Sequence, residues 1–269
     1  MSVDATLTVG MAQMRVRPGQ PQANLARAVE RMAEAADAGC ELVVLPECLD
    51  IGWGDDRARG LAQAIPGPAT ETLAAAARRH QVFVAAGLVE RAGSLLYNAA
   101  VLIDDTGRTV LHHRKINELD GVVGGLYARG DRLGVAHTRL GCIGLNICAD
   151  NAPETLAIGH TLALMGAQII VSPSAWAVPP DHDNAATPYG GLWREAYGEL
   201  ARSHGLPVVG VSSVGRLEDG AWRGHAVIGC SLAMGGDGTV AAQAGYGEAA
   251  DELVVVTLRL RAGPAETRA

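Results

Sequence analysis

The chain reads as an α/β fold of stacked sheets and helices. Strand-like and helix-like signals alternate along most of its length. The strand signals are short, nearly continuous apolar runs, the pattern of strands covered on both faces. Hydrophobic residues make up 48% of the 269-residue chain, enough to fill a large core. No linker rich in Pro, Gly or Ser divides it, so residues 1–269 read as a single domain.

Taken in order, Thr6–Met14 reads as a strand. Residues 21–38 read as an amphipathic helix, with Leu25, Val29, Met32 and Ala36 at spacings of three and four, and Gly39 suits its C-terminal cap. The run "LVVL", 42–45, is a short buried strand that ends at Pro46-Glu47. "GPATETLAAAARRH" is a helix with Pro68 near its start. "VFVAAGLVE" and "NAAVLID" are strands, and "DDTGR" turns the chain into the next strand-like segment, "RTVLHH". The stretch His112–Arg132 is long, charged and rich in glycine, the character of a functional loop. "LGCIGLNI", 140–147, is a strand, and a helix is expected to open at Pro153 in "PETLAIGHTLALMGA". "QIIVSPS", the helix "YGGLWREAYGELARSH" and the strand "LPVVGVSS" follow. From Gly224 to Leu260 the chain is strand-rich with glycine turns.

Composition removes several classes of function. A formal charge of −7 provides no basic face for nucleic acid. No apolar run is long enough to span a membrane. The N-terminal residues lack a basic region followed by an apolar core, so no signal peptide is expected. Five cysteines at irregular spacing, with no CxxC pair, fit a reduced, cytoplasmic protein. His112 and His113 alternate in direction on a strand and have no third ligand at a convincing spacing, so no metal is expected.

Three reactive residues sit where strands end: Glu47 after "LVVLP", Lys115 beyond "RTVLHH" and Cys148 after "IGLNI". In open α/β sheets, chemistry collects beyond such carboxyl ends. A thiol becomes a good nucleophile when ionised, and a nearby cation or helix N-terminus favours its anion. Lys115 and a helix opening near Pro153 are expected to act in that way on Cys148. Glu47 would carry the proton. Lys115 and the backbone N–H of Ala149 would hold an oxyanion. Each residue alone also has an ordinary reading: a buried core thiol, a solvated lysine, a turn.

Together, "LVVLPE", "HHRKI" and "GLNICAD" resemble the three signature segments of the nitrilase superfamily, the carbon–nitrogen hydrolases. Further segments resembling that family run from "LTVGMAQMRV" to "GHAVIGCSLAMGGDGTVAAQAG". The resemblance implies a four-layer α-β-β-α sandwich and a Glu47–Lys115–Cys148 triad without a cofactor. It also implies subunits that pair through outer helices into a homodimer or a larger homo-oligomer. The reaction implied is cleavage of a non-peptide C–N bond in a small amide or N-carbamoyl compound. "CAD" is similar to the amidase and carbamoylase branches, whereas true nitrilases commonly carry Trp-Glu after the cysteine. A true nitrilase, an acyl transferase and a non-catalytic scaffold are the alternatives.

Two departures from the family pattern bear on the site. The family's second glutamate would fall at Val123, counting back from Tyr127 and Gly130. The carboxylates between Lys115 and Cys148 are Glu118, Asp120 and Asp131, and Glu118 is the candidate substitute. "CADNAPE" is one residue shorter than in many amide-cleaving members and has no Arg. At the rim, Trp53 and Trp176 are candidate pocket walls, and His182 or Asn184 could meet a polar end of the substrate. Asn98 reads as a buried structural amide.

Overall fold

The structure is a computed structural model and describes residues 5–262; the ends of the expected 1–269 domain lie outside the described residues. The chain runs β1 (Thr6–Gln13), α1 (Pro21–Asp37), β2 (Leu42–Val44), α2 (Ala58–Leu61), α3 (Pro68–His80), β3 (Phe83–Ala92), β4 (Leu95–Ile103), β5 (Thr109–Arg114) and α4 (Asp120–Val123). It continues through β6 (Val135–Thr138), β7 (Gly141–Leu145), α5 (Ala157–Leu164), β8 (Ile169–Ser174), β9 (Ala177–Val178), α6 (Gly191–His204) and β10 (Val208–Ser212). The strands β11 (Val214–Arg216), β12 (Ala226–Ile228), β13 (Leu232–Met234), β14 (Val240–Gln243) and β15 (Glu252–Arg259) complete it.

One six-stranded sheet has the order β15-β1-β2-β3-β4-β5 and another the order β14-β13-β10-β8-β7-β6. Each is built around parallel strands, β1-β2-β3 in the first and β7-β8-β10 in the second, with antiparallel strands at the flanks. A small sheet, β11-β12-β9, lies beside them.

The period of two along each strand creates the layers. In the first sheet Leu7, Val9, Met11, Leu42, Val44, Ala100 and Leu102 belong to the core shared with Ile143, Leu145, Ile170 and Val209 of the second. Their neighbours Ala12, Val43, Leu45, Val84, Val101 and Ile103 pack instead with Ala28, Met32, Leu73 and Ala77 of α1 and α3. On the other side, Leu162, Ala196, Leu200 and Ala201 of α5 and α6 cover the second sheet. This is the α-β-β-α sandwich, with small aliphatic side chains filling nearly all of it.

Two elements differ from the sequence reading. The buried stripe of α1 is Asn24, Ala28, Met32 and Ala35, one position away from the apolar stripe at 25, 29 and 36. Asn24 turns that face inward: its side chain accepts from the Arg17 N–H at 2.8 Å and donates to the carbonyls of Arg17 and Asp50 at 2.7 and 2.9 Å. The helix expected from Pro153 is only a 3₁₀ turn over Pro153–Thr155, and α5 proper starts at Ala157. The long loop is also shorter than expected, because His112–Arg114 extend β5. Among the described residues no helix is long and apolar enough to cross a membrane.

Candidate active site

Glu47 lies just past β2, where Pro46 ends the strand. Its N–H donates to the Ser174 carbonyl at 3.1 Å, tying the end of the first sheet to the second. Gly87 makes this placement possible: a Cβ there would lie 2.5 Å from the Glu47 Cα. The carboxylate is buried, with the residue 1% exposed.

Lys115 follows β5. Its N–H donates to the Asn98 carbonyl at 2.8 Å, and its carbonyl accepts from Gly130 at 2.7 Å. Gly130 lies against the same backbone, since a Cβ there would meet the Arg114 oxygen at 2.0 Å. Held in this way, Lys115 is also 1% exposed, and its Nζ donates to Glu47 Oε1 at 2.7 Å. Asn98 Nδ2 donates to the same oxygen at 2.6 Å. Asn98 therefore fixes the carboxylate, a role its structural reading did not include.

Cys148 follows β7 on a sharp turn. Its φ is +43°, left-handed backbone that a non-glycine residue adopts only where its surroundings impose it. Ser172 Oγ accepts the Cys148 N–H at 3.0 Å and also an Asn151 Nδ2–H at 3.0 Å. Asn151 and Asn146 exchange two amide hydrogen bonds, at 2.7 and 2.9 Å. Asp150 joins the cysteine turn to the lysine segment. Its Oδ1 accepts from the N–H groups of Ile116 and Asn117 at 3.1 and 2.8 Å. Its Oδ2 accepts from Ile147 N–H at 3.0 Å and is 2.8 Å from His113 Nε2. Asn117 Nδ2 and Thr155 Oγ1 both donate to the Ala149 carbonyl at 2.7 Å, which fixes the Ala149–Asp150 peptide plane.

The electrostatics follow from burial. Desolvation and the field of the Glu47 carboxylate push Cys148 up to about 12, against the pull of the Lys115 ammonium. Burial and the nearby negative charge thus favour the protonated sulfur over its anion. This corrects the expectation of a helix-stabilised anion: α5 starts nine residues after the cysteine, and burial dominates the remaining terms. Burial alone would lower the Lys115 ammonium. The charges of Glu47, Cys148 and Glu118, with the Glu47 hydrogen bond, more than offset that and hold it above the usual lysine range.

The other expected residues divide clearly. Glu118 is 3% exposed, and its charge is felt at Lys115. Val123 is buried in an apolar cluster with Trp53, Leu126 and Tyr127, so the position of the family's second glutamate is packed with hydrocarbon. The Trp53 ring face lies 6.0 Å from Lys115 Nζ. Trp176 is buried and stacks on Trp193 at 5.1 Å, with Tyr189 and Tyr197 beside it. His182 is half-buried against Tyr246, ring centres 6.3 Å apart, and Asn184 accepts the Tyr189 N–H at 2.8 Å as a turn residue. Asp131 is exposed, and the Asp120 side chain lies outside the described residues. Cys40, Cys142 and Cys230 are buried free thiols, as is Cys48, whose sulfur lies 3.4 Å from Asn98 Oδ1. Asn151 and Ser172 were not singled out from sequence, and His113 was weighed only as a metal ligand. "HHRK" and "CADN" hold His113, Asp150 and Asn151 close to triad residues, but nothing in either string pairs 113 with 150. Among the described residues there is no cluster of three or more His, Cys, Asp or Glu that could hold a metal.

The family model for carbon-nitrogen hydrolases matches residues 8–263, and the chain belongs to that family. Among curated relatives, an omega-amidase (NIT2) of Xenopus tropicalis is 30% identical over 181 residues, 64% of this chain and 64% of that protein. A nitrilase of Pyrococcus abyssi is 32% identical over 217 residues, covering 77% of this chain and 80% of the relative. The chain thus spans slightly under two thirds of the frog protein it matches. Among solved structures, a carbon-nitrogen hydrolase from Helicobacter pylori superposes with a TM-score of 0.85 at 23% identity, over 95% of this chain and 90% of that one. A double mutant of the amidase from Nesterenkonia sp. AN1, in complex with acrylamide, gives 0.79 at 21% identity over 96% and 92%. These two show the same fold.

Proposed function

We propose that this protein is a hydrolase of small amides or N-carbamoyl compounds, working through a cysteine acyl-enzyme formed on Cys148. The observation that carries the reading is the buried Glu47 Oε1–Lys115 Nζ pair at 2.7 Å, with the charges of both residues felt at the buried Cys148. The two curated relatives, named as an omega-amidase and a nitrilase, support carbon–nitrogen chemistry. "CAD" after the strand favours the amide branch.

The geometry supports a definite division of labour. Glu47 takes the thiol proton as Sγ bonds to the carbonyl carbon. The new oxyanion is held by the Lys115 ammonium and the Ala149 N–H. As the C–N bond breaks, Glu47 returns that proton to the leaving nitrogen, and ammonia or an amine departs. Glu47 then draws a proton from water, the resulting hydroxide attacks the thioester, and Cys148 leaves as thiol with the acid as product. Glu118 contributes negative charge near Lys115, the part that the family's second glutamate would otherwise play.

The test is ammonia release from small amides, N-carbamoyl amino acids and nitriles, with Cys148→Ala alongside. Release by the native protein and none by the variant is expected. Release from nitriles alone would move the assignment to a nitrilase, and no release from any class would favour a scaffold. All five cysteines are free, which supports a reducing, cytoplasmic setting. The reading extends to one hydrolase domain over 1–269, and to subunits pairing through α5 and α6, where Leu164 and Leu192 are 80% and 50% exposed. Leu164→Lys should shift the protein to smaller species in size-exclusion chromatography.

A further inference from the structure

Cys48 directly follows Glu47, is completely buried, and has no part in the chemistry described above. Its backbone is left-handed, at φ +46°, a conformation costly for any residue with a Cβ. Among the described residues, the other non-glycine residues in that region are Gln81, Cys148 and Cys230. Gln81 takes it as the cap of α3, and Cys148 on the nucleophile turn. At Cys48 the turn is closed by the Gly52 N–H, which donates to the Cys48 carbonyl at 2.8 Å, and by the Leu49 N–H, which donates to the Gly87 carbonyl at 2.9 Å. The side chain then meets two polar groups: its Sγ lies 3.4 Å from Asn98 Oδ1 and 3.9 Å from the Tyr127 hydroxyl.

These contacts have a direction. A thiol has one proton, and an amide oxygen can only accept. The S–H therefore donates to Asn98 Oδ1, the shorter contact, and the Tyr127 hydroxyl donates to the sulfur. The Tyr127 oxygen in turn accepts the Gly54 N–H at 3.1 Å. At the other end Asn98 Nδ2 donates to Glu47 Oε1 at 2.6 Å. Donors thus run one way, from Gly54 through Tyr127, Cys48 and Asn98 to the carboxylate, and all four of these side-chain-bearing residues are buried. Burial, with the charges of Glu47 and Asp50, holds the Cys48 thiol well above its ordinary range, so the proton that the amide accepts stays in place. The Asn98 amide is gripped at both ends. With no donor from residue 48, Oδ1 would be a buried acceptor left open, and the amide plane would turn about its last bond and take Nδ2 off the Glu47 oxygen.

Resting on the amide-hydrolase reading, we infer that Cys48 is a positioning residue: by donating to Asn98 Oδ1 it aims the Asn98 amide at Glu47 and keeps the base in one orientation through its proton transfers. It acts through Asn98 and not on the substrate. The test is a double-mutant cycle of Cys48→Ala and Asn98→Ala, with Cys48→Ser as the conservative variant. Two quantities are read on folded protein: kcat and KM for ammonia release, and the solvent exchange rate of the Asn98 side-chain N–H by NMR, assigned from its loss in Asn98→Ala. Cys48→Ala should lower kcat about 3- to 10-fold, the range of one net hydrogen bond, leave KM unchanged and speed that exchange by a similar factor. Cys48→Ser keeps a donor and should recover most of both. In the Asn98→Ala background the same Cys48→Ala change should leave kcat unaltered, whereas a merely structural loss would lower it in either background. An equal loss in the two backgrounds, a change confined to KM, no recovery by serine, or unchanged exchange in Cys48→Ala would each overturn the inference. The hydrolase reading is scored separately, on whether the native protein releases ammonia from any amide. Faster exchange in Cys48→Ala without native turnover would sink the hydrolase reading and leave the hold of Cys48 on Asn98 standing. Turnover with unchanged exchange would do the reverse.

Discussion

The two sides of Cys148 are built on opposite principles. On one side, Asp150, Asn151, Asn146 and Ser172 form a closed polar set in which each side-chain oxygen accepts at least one hydrogen bond. On the other, Trp53, Val123, Leu126 and Leu217 present hydrocarbon and an indole N–H with no acceptor. A saturated network is rigid, because every rotation breaks a bond that burial makes costly to lose. An apolar wall is held by packing, with few directional bonds to fix its side chains. The comparison separates what holds the nucleophile from what encloses it.

The largest expected effect tests the saturated side. Asp150→Ala strips the acceptor from three backbone N–H groups and leaves His113 without its buried partner. Loss of one member of a buried pair costs about 3–5 kcal/mol, so the midpoint of urea unfolding should fall sharply. A shift below 1 kcal/mol would mean that the two segments do not depend on this link. Next, Asn98→Ala frees Glu47 Oε1 from one of its two anchors, and kcat should fall by about 10²-fold with little change in thermal stability. A change confined to KM would instead assign Asn98 to substrate binding.

Asp50 probes the apolar side. It is buried below the Trp53 loop, held by the N–H groups of Val89 and Ile51, and desolvation raises it to about 7. A carboxyl whose folded pKa exceeds its unfolded value binds more protons in the folded state. Its contribution to stability therefore falls as pH rises from about 4 to about 7 and is flat above. Asp50→Asn should remove that slope, by a few kcal/mol between unfolding experiments at pH 5 and pH 8. An unchanged slope would show that Asp50 is solvated in the folded protein. The smallest effect belongs to Ser172→Ala, which takes the acceptor from the Cys148 N–H. It should cost about 1–3 kcal/mol in urea unfolding and lower kcat, with Ser172→Thr restoring much of both. If Thr fails to restore them, the hydroxyl is not the relevant group.

Much of this protein was legible before any coordinates. The short, nearly continuous apolar runs of β2, β3, β7 and β8 mark strands because run length and composition are local. Glu47, Lys115 and Cys148 stand out because each follows such a run. The start of α5 was misplaced because proline at an N-terminal position suits a 3₁₀ turn as well as an α-helix. The buried face of α1 was off by one because the Asn24 hydrogen bonds to Arg17 and Asp50, rather than hydropathy, set its rotation.

The thiol's state was also out of reach. From sequence, a lysine and a helix favour an anion. In the fold, complete burial beside Glu47 pushes the thiol the other way. The same holds for Asp150 with His113, Asn98 with Glu47 and the unpaired indole of Trp53, all of which join or isolate residues distant in the chain. The layered class, the strand ends and the residue types that stand there follow from neighbours along the chain. Which of those groups share a hydrogen bond and which are stripped of water follows from packing, because desolvation and hydrogen-bond geometry belong to the folded molecule.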